Sequence, residues 1–353
     1  MNELHAPHQV SGKHLIYILL IVLSALGVGG CSRVIKNKVA VAPFIEPKVK
    51  QADTAQLIAE VNRLAAVRSL KGKVDLQFLD NSFAKCGIVE KYSTAEGNLI
   101  LQRQGQIYLA IQALLSIKVA EMASDGTHFE VAIFQGDPKY RRLLHGTNSA
   151  VYPQFESGDD GAPDCSDDGK QKKTEAMQKR AVSAFTGLRP QHLTDAFLVN
   201  PIDPAQGNLV YVQSEAFIEE PDDRPTAKKG ARVVRSYFAL EELAPESAGH
   251  LRLLRRFWFD RSETLRLARV QTYDESGQLT TDVTYREQRP FGAEGKYVLP
   301  SKIELTRPRD RYSIRITYQA PEEVKVDQPY DADIFVLQNR SGLPEVDLDK
   351  KEK

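Results

Sequence analysis

The chain has 353 residues and equal numbers of basic and acidic side chains, 47 of each, so its formal net charge is zero. Composition therefore gives no electrostatic support to a nucleic-acid partner or a heavily acidic one. With 42% hydrophobic residues the chain can bury a sizeable core, as one large domain or two smaller ones.

Residues 1–30 are predicted to be a secretory signal peptide. An uninterrupted apolar run occupies residues 15–26 and follows the basic Lys13. The run is shorter than the ~20 residues that span a bilayer, and it fits the apolar region of a signal peptide. A transmembrane anchor with an incidental cysteine is the alternative interpretation.

The four residues that end this segment resemble the bacterial lipobox: aliphatic Val28, small Gly29 and Gly30, and then Cys31. The resemblance implies cleavage between Gly30 and Cys31 and attachment of a diacylglyceryl group to the Cys31 thiol, followed by acylation of its amine with a fatty acid such as palmitate. The membrane would then be a partner through covalent lipid. Ser32 after the cysteine favours the periplasmic face of the outer membrane, with the outer face of the inner membrane as the second choice.

Residues 31–52 are predicted to be a lipidated tether. After the cysteine this stretch carries five basic side chains against the single acidic Glu46, and Pro43 and Pro47 discourage regular structure. A flexible stretch of ~20 residues has a root-mean-square reach of roughly 25 Å. The basic side chains would lie near anionic lipid headgroups.

Residues 53–340 are predicted to form one domain that begins with an amphipathic helix. Asp53 and Gln56 have the spacing of a capping box. The apolar positions then recur at helical spacing, and Glu60 falls on the other side of the wheel. From Lys73 the period changes to 2, which is typical of strands. Two meanders of antiparallel strands are predicted, over 73–78, 97–101, 106–111, 117–122, 128–134 and 140–144, and over 209–214, 232–240, 251–259, 265–273, 278–285, 297–306 and 311–318.

Between the meanders the sequence predicts a mobile insert and two short helices. Residues 157–173 are acidic and then basic, with almost no apolar side chains, so they cannot offset their ordering entropy. The helices are predicted at 175–185 and 190–198. At the other end of the domain, 334–337 is a candidate edge strand and 341–353 is predicted to be a disordered tail.

The two cysteines that remain after Cys31 are Cys86 and Cys165. In an oxidising compartment an even number permits a disulfide, and Cys165 lies in the predicted mobile insert. A bridge between the two and a pair of free thiols are both left open.

The order of helix, meander, helices and meander resembles the periplasmic lipoprotein carriers and receptors LolA and LolB, over about residues 53–337. Local likeness includes Met122–Phe129, around a Ser-Asp-Gly turn, and the aromatic strand Arg256–Asp260. The resemblance implies an α+β fold, in which a strongly curved antiparallel sheet, an open half-barrel, is covered by the N-terminal helix and the short middle helices.

The same resemblance implies an apolar cavity between sheet and helices that accepts a lipid or the acyl chain of a lipidated protein. The apolar faces of the helix and strands suggest the residues that would line it: Leu57, Val61, Leu64, Val74, Leu76, Phe78, Trp258, Ile314 and Ile316. The alternative function is a structural or assembly lipoprotein that contacts an envelope protein and has a solidly packed interior.

No catalytic, cofactor or metal motif stands out, so the sequence does not predict an enzyme. The four histidines after the signal peptide, at 128, 145, 192 and 250, lack metal-ligand spacing. The acidic pairs Glu219-Glu220 and Asp222-Asp223 are interpreted as solvated loop residues rather than as acid–base catalysts. No nucleic-acid partner is expected.

Overall fold

In the computed structural model, the described residues form two α-helices and a sixteen-stranded sheet. The helices are α1 (Thr54–Ala65) and α2 (Pro190–Phe197). The strands are β1 (Ser69–Asp80), β2 (Glu90–Lys91), β3 (Ala95–Gln102), β4 (Gln106–Ala113), β5 (Ile117–Asp125), β6 (His128–Ile133), β7 (Arg142–Thr147), β8 (Val210–Pro221), β9 (Arg232–Pro245), β10 (Leu251–Asp260), β11 (Arg266–Tyr273), β12 (Leu279–Phe291), β13 (Tyr297–Arg307), β14 (Tyr312–Tyr318), β15 (Lys325–Val326) and β16 (Glu345–Asp347).

The chain divides into two units, Met1–Pro43 and Phe44–Lys353, and all of these elements belong to the second. The structure describes residues 41–80, 90–91, 94–113, 117–135, 138, 141–150, 188–205, 207–224, 226–310 and 312–350. The predictions that fall outside these residues are the signal peptide with Gly30 and Cys31, the candidate pair Cys86 and Cys165, the insert at 157–173 and the helix at 175–185. Neither described helix has the length and apolar character that crossing a bilayer requires.

Helix α1 begins at the capping box that the sequence predicts. The Asp53 carboxylate accepts from the Gln56 backbone N–H at 2.8 Å, and the Gln56 side chain accepts from the Asp53 backbone N–H at 2.9 Å. These bonds satisfy donors that the first helical turn would otherwise leave open, which stabilises the helix by about 1 kcal/mol. Leu57 and Val61 then face the sheet with no exposed area.

The sheet is open and almost entirely antiparallel, which confirms the two predicted meanders. Its strand order is β16-β7-β6-β5-β4-β3-β1-β14-β13-β12-β11-β10-β9-β8, with β2 and β15 also pairing with β1. Strand β1 pairs with β3 on one side and β14 on the other, so it joins the first meander to the second. Only β16 runs parallel to its neighbour, β7.

Strand β14 shows why one face of the sheet is covered. Ile314 and Ile316 are buried at 0% and 2% exposure, whereas Arg315 between them binds Glu304 of β13 on the opposite face at 2.6 Å. Successive side chains of a strand point to opposite faces, so alternation separates an apolar inner face from a polar outer face.

The hairpin between β5 and β6 has the predicted Ser-Asp-Gly turn. Gly126 has φ +98°, and a Cβ there would lie 1.9 Å from the Gln104 carbonyl oxygen. The Asp125 carboxylate accepts from the backbone N–H groups of Thr127 and His128, both at 2.7 Å. Glycine is therefore required at this position both by its backbone conformation and by the close approach.

The second half of the predicted tether, 31–52, is attached to the domain. Residues 44–50 belong to the same unit as the sheet, and the buried Arg261 binds them. Its guanidinium donates to the carbonyl oxygens of Val49 at 2.9 Å and Lys50 at 2.6 Å. Ile45 also donates its backbone N–H to the Val234 carbonyl oxygen at 2.9 Å, and the sequence does not reveal the attachment because these partners are distant in the chain.

Two predictions near the C-terminus are wrong. The candidate edge strand at 334–337 is instead a short 3-10 helix, Ala332–Phe335, which buries the Phe335 ring completely. Within the predicted disordered tail, 341–353, strand β16 pairs with β7. The free edge of β7 supplies backbone partners that composition alone does not reveal.

Candidate functional site

The structure brings eight of the nine predicted lining residues together in one core cluster. These are Leu57, Val61, Leu64, Val74, Leu76, Phe78, Ile314 and Ile316. Leu57, Val61, Val74 and Ile314 have 0% exposure. A side chain that borders a space wide enough for water keeps some accessible area, so these four border no such space. The interior is closely packed where the sequence predicts a ligand.

A small cavity remains where the end of α1 and the segment after α2 meet the sheet. We call this place the helix–sheet junction, and it is lined by Leu64, Val67, Leu70, Phe197, Val199, Tyr285, Phe291, Leu299, Pro300, Ile303 and Tyr318. The volume is about 20 Å³, which is enough for about one water molecule, whereas ligand pockets usually have at least about 300 Å³. In this conformation the junction is closed to an acyl chain.

Two tyrosines of the junction differ in how their buried hydroxyls are satisfied. The Tyr285 hydroxyl donates to the Ala196 carbonyl oxygen at 2.9 Å. Among the described residues the Tyr318 hydroxyl has no hydrogen-bond partner. Burial raises the pKa of both phenols, so both stay neutral. The junction is thus apolar apart from one open hydroxyl, which costs stability unless something binds it.

A larger concave site lies on the outer face, where β11 and β12 separate. Their pairing begins at Arg269 and Thr284, so the start of β11 has no register partner in β12. Ala268 is an extra residue relative to β10, because Trp258 pairs with Arg269 and Phe259 with Leu267. The resulting cavity, here called the outer-face basin, has a volume of about 350 Å³.

Trp258, the ninth predicted lining residue, borders the outer-face basin instead of the interior. Its neighbours Phe257 and Phe259 point to the inner face and have no exposed area. The Trp258 indole N–H donates to Gln271 at 2.9 Å, and its ring meets Tyr237 edge to face with centroids 6.1 Å apart. Alternation along β10 thus places the tryptophan on the opposite side from the core.

Ion pairs organise the wall of the basin. Arg235 lies 2.8 Å from Glu220 and 3.5 Å from Asp260, and it also binds Asp223. Arg286 contacts Asp223 at 2.8 Å. Burial alone would lower the pKa of Arg286, but Glu220 and Asp223 raise it overall, so the guanidinium stays charged.

The acidic pairs that the sequence assigns to solvated loops are therefore partly structural. Glu220 lies in β8, where it also accepts from the Tyr237 hydroxyl at 2.9 Å. Burial and then the Glu220 charge raise the pKa of Tyr237. Asp222 binds Arg224 at 2.7 Å in the following loop. Sequence reasoning missed Arg235 and Arg286, because only the strand register shows which carboxylates they meet.

The histidines remain dispersed in the structure. His192 is part of α2, and its Nδ1 lies 3.4 Å from the Tyr312 hydroxyl. Burial, with a smaller effect from Arg307, lowers the pKa of His192 to about 3, so the ring is neutral. Within the described ranges no three His, Cys, Asp or Glu side chains are grouped as metal ligands would be.

Comparison with known proteins gives similarity at the level of structure. No protein-family model matches the sequence, and no curated protein matches it either. A DUF1329 family protein from Desulfovibrio piger aligns with a TM-score of 0.39 and 12% identity, over 82% of this chain and 96% of that one.

Two further solved structures are similar to the same extent. A LolA superfamily protein from Nitrosomonas europaea has a TM-score of 0.38 and 12% identity, over 81% of this chain and 99% of that one. A candidate outer membrane lipoprotein-sorting protein domain from Vibrio parahaemolyticus has a TM-score of 0.37 and 12% identity, over 79% and 94%. At TM-scores below 0.5 these similarities fix neither the family nor the function of this chain.

Proposed function

We propose that the protein is a lipid-anchored lipoprotein of the bacterial outer membrane that faces the periplasm and binds an acyl chain of a lipid or lipidated protein. Cys31 carries the anchor, and the role is binding without catalysis or a cofactor. The observation that carries the proposal is the helix–sheet junction, where apolar side chains surround a small cavity next to the unpartnered hydroxyl of Tyr318.

Binding requires the junction to open, because its present volume of about 20 Å³ holds no acyl chain. Phe197, which contributes to the wall, is the last residue of α2, a helix of only eight residues, and Val199 lies just after it. Displacement of this short segment from the half-barrel would expose the apolar inner face. Each methylene group that then left water would contribute about 0.8 kcal/mol, and a polar atom near the acyl headgroup would bind Tyr318.

Lipid extraction tests the binding. The full-length protein is purified from membranes, and lipids that dissociate in organic solvent are identified by mass spectrometry. We expect a bound lipid in the wild type and much less in Leu64→Phe, which fills the junction. Leu251→Phe, at a position with 49% exposure, is the matched control. A wild-type protein free of lipid would contradict the proposal.

Labelling with radioactive palmitate tests the anchor separately. Cys31→Ala should abolish incorporation, whereas Ser32→Ala should keep it. Equal labelling of wild type and Cys31→Ala would show that the lipobox interpretation is wrong, whatever the extraction shows.

The second candidate function is an assembly lipoprotein that contacts an envelope protein and holds no lipid. The completely buried Leu57, Val61 and Val74 favour it, because they show an interior that is already filled. An anchored protein that yields no extractable lipid would support this function over lipid binding.

A further inference from the structure

The outer-face basin is distinct from the helix–sheet junction and has the volume of a small-molecule site, about 350 Å³. Its walls come from β8 to β12 and the loops that join them. Glu287 on β12 has φ +54°, a left-handed conformation that residues other than glycine seldom adopt. Glu287 and the extra residue Ala268 both lie at the place where β11 and β12 separate. Bulges and strained residues of this kind concentrate where proteins bind ligands.

The ion pairs of the basin disfavour a strongly ionic ligand. Each of the four guanidiniums in the walls is already within ion-pair distance of a carboxylate: Arg235 with Glu220, Arg266 with Glu60, Arg269 with Asp282 and Arg286 with Asp223. An anion would have to displace one of these carboxylates and leave it without its cation, and an ammonium group would have to displace a guanidinium. Both exchanges are costly for partly buried groups.

A neutral hydrogen-bonding ligand meets no such penalty. Gln288 lines the basin, and its amide oxygen Oε1 is buried without a hydrogen-bond partner among the described residues, so the amide must turn toward the cavity to meet a ligand. An unsatisfied buried acceptor favours a ligand with O–H or N–H donors. The carboxylates of Glu220 and Asp260 offer further acceptors, since each carboxylate can accept several hydrogen bonds.

The aromatic side chains add an apolar surface to this polar wall. Trp258 and Tyr237 lie edge to face, with their hydrogen-bonding groups directed to Gln271 and Glu220. Both rings line the cavity, and the guanidiniums of Arg256 and Arg269 lie over the Trp258 ring at 5.8 and 6.0 Å from its centroid. A saccharide combines hydroxyl donors with apolar C–H patches on its ring, so it matches both parts of the wall.

We propose that the outer-face basin binds a neutral saccharide, with Gln288 accepting a hydrogen bond from the ligand and Trp258 contacting its ring. This site is independent of the acyl chain proposed for the helix–sheet junction. An N-acetylated sugar suits it particularly well, because its amide N–H is a donor for the Gln288 oxygen.

The chain contains one tryptophan, so Trp258 fluorescence reports on the basin alone. The full-length protein, in a detergent that contains no sugar, is titrated with triacetylchitotriose and with maltotriose up to about 10 mM. We expect a saturable change in emission and protection of Trp258 from acrylamide quenching with at least one of them. Sodium phosphate at equal ionic strength should cause neither.

Gln288→Leu should weaken saccharide binding about fivefold to tenfold, the effect of losing one hydrogen bond. The matched control Gln278→Leu changes an exposed glutamine in the hairpin between β11 and β12 and should bind as the wild type does. The absence of a saturable change with both saccharides overturns the proposal, as does a response to phosphate alone. Equal affinity of a folded Gln288→Leu variant also overturns it, and the quenching measurement on the wild type needs no variant.

Discussion

The helix–sheet junction and the outer-face basin have opposite character, although both are lined by Tyr285. The junction is apolar, nearly filled and contains one hydroxyl without a partner among the described residues, whereas the basin is open, charged and internally paired. Strand β10 supplies both faces, with Phe257 and Phe259 in the core and Trp258 in the basin. Period-2 alternation therefore lets one strand serve two environments, and adjacent aromatic residues of the sequence separate between the core and the basin.

The largest change in the free energy of unfolding is expected when a buried side chain of the interior is shortened. Ile314→Ala empties a position with 0% exposure and should lower the free energy of unfolding by about 3 to 4 kcal/mol. Ile117→Ala, at a position with 49% exposure, should cost less than about 1 kcal/mol. Urea denaturation measures both, and similar costs would show that the interior is not the packed region.

In the basin, the free energy of unfolding should depend on the ion pairs rather than on side-chain volume. Arg235→Ala removes the cation shared by Glu220, Asp223 and Asp260, of which the first two keep Arg286 within ion-pair distance, and should cost about 2 to 3 kcal/mol. The estimate is below that for a fully buried pair, because the Asp223 side chain is 44% exposed.

The neighbouring ion pair Arg232–Glu219 provides the matched control for Arg235→Ala. Its side chains are 50% and 54% exposed, so Arg232→Ala should change the free energy of unfolding by less than about 1 kcal/mol. If urea denaturation gave equal costs for the two variants, the Arg235 network would not organise the basin.

His192 should make α2 sensitive to acid. Its folded-state pKa is about 3, below its ordinary value, so the unfolded chain takes up the proton first as the pH falls. The contribution of the neutral His192 ring to the free energy of unfolding is complete at pH values above the ordinary pKa of histidine. It is lost progressively as the pH falls towards 3. Between pH 7.5 and 5 the loss should be about 2 kcal/mol.

Urea denaturation at several pH values measures this dependence. His192→Asn should reduce the pH dependence by that amount, and His250→Asn, at an exposed position, should keep the wild-type slope. An unchanged slope in His192→Asn would contradict the burial of a neutral ring.

The smallest expected effect is a difference in stability between variants of the two junction tyrosines, Tyr285 and Tyr318. Tyr285→Phe removes the donor to the Ala196 carbonyl oxygen and should cost about 1 kcal/mol. Tyr318→Phe removes a hydroxyl without a described partner, so it should be neutral or slightly stabilising in lipid-free protein. Thermal unfolding of the two variants compares them, and an equal loss in Tyr318→Phe would reveal a partner for its hydroxyl.

Local sequence patterns predicted much of the second unit. The capping box at Asp53, the Ser-Asp-Gly turn and the two antiparallel meanders depend on neighbours a few residues apart, so propensity and period are enough to predict them. The burial of Glu60 is a feature that these local patterns do not predict. The helical wheel places it away from the apolar stripe, yet it is buried and binds Arg63 at 2.7 Å and Arg266 at 3.6 Å.

The candidate sites were harder to predict than the fold. Leu64 was predicted to line an interior cavity and does border the junction, but Trp258 lines the opposite face. Gln288 and Arg235 were missed, because a lone glutamine or arginine on a strand carries no local signal. Their role depends on the separation of β11 from β12, which arises from pairing between distant segments.

By itself the sequence determined the strand periodicity, the turns, the start of α1 and the lipobox-like segment that ends at Cys31, since each is set by residues adjacent in the chain. Tertiary structure alone decided that Leu57, Val61, Val74 and Ile314 are completely buried, that Arg261 binds Val49 and Lys50, and that charges from β8, β9 and β12 meet in one basin. The physical reason is that packing density and charge pairing depend on strand register and on contacts between residues far apart in the chain.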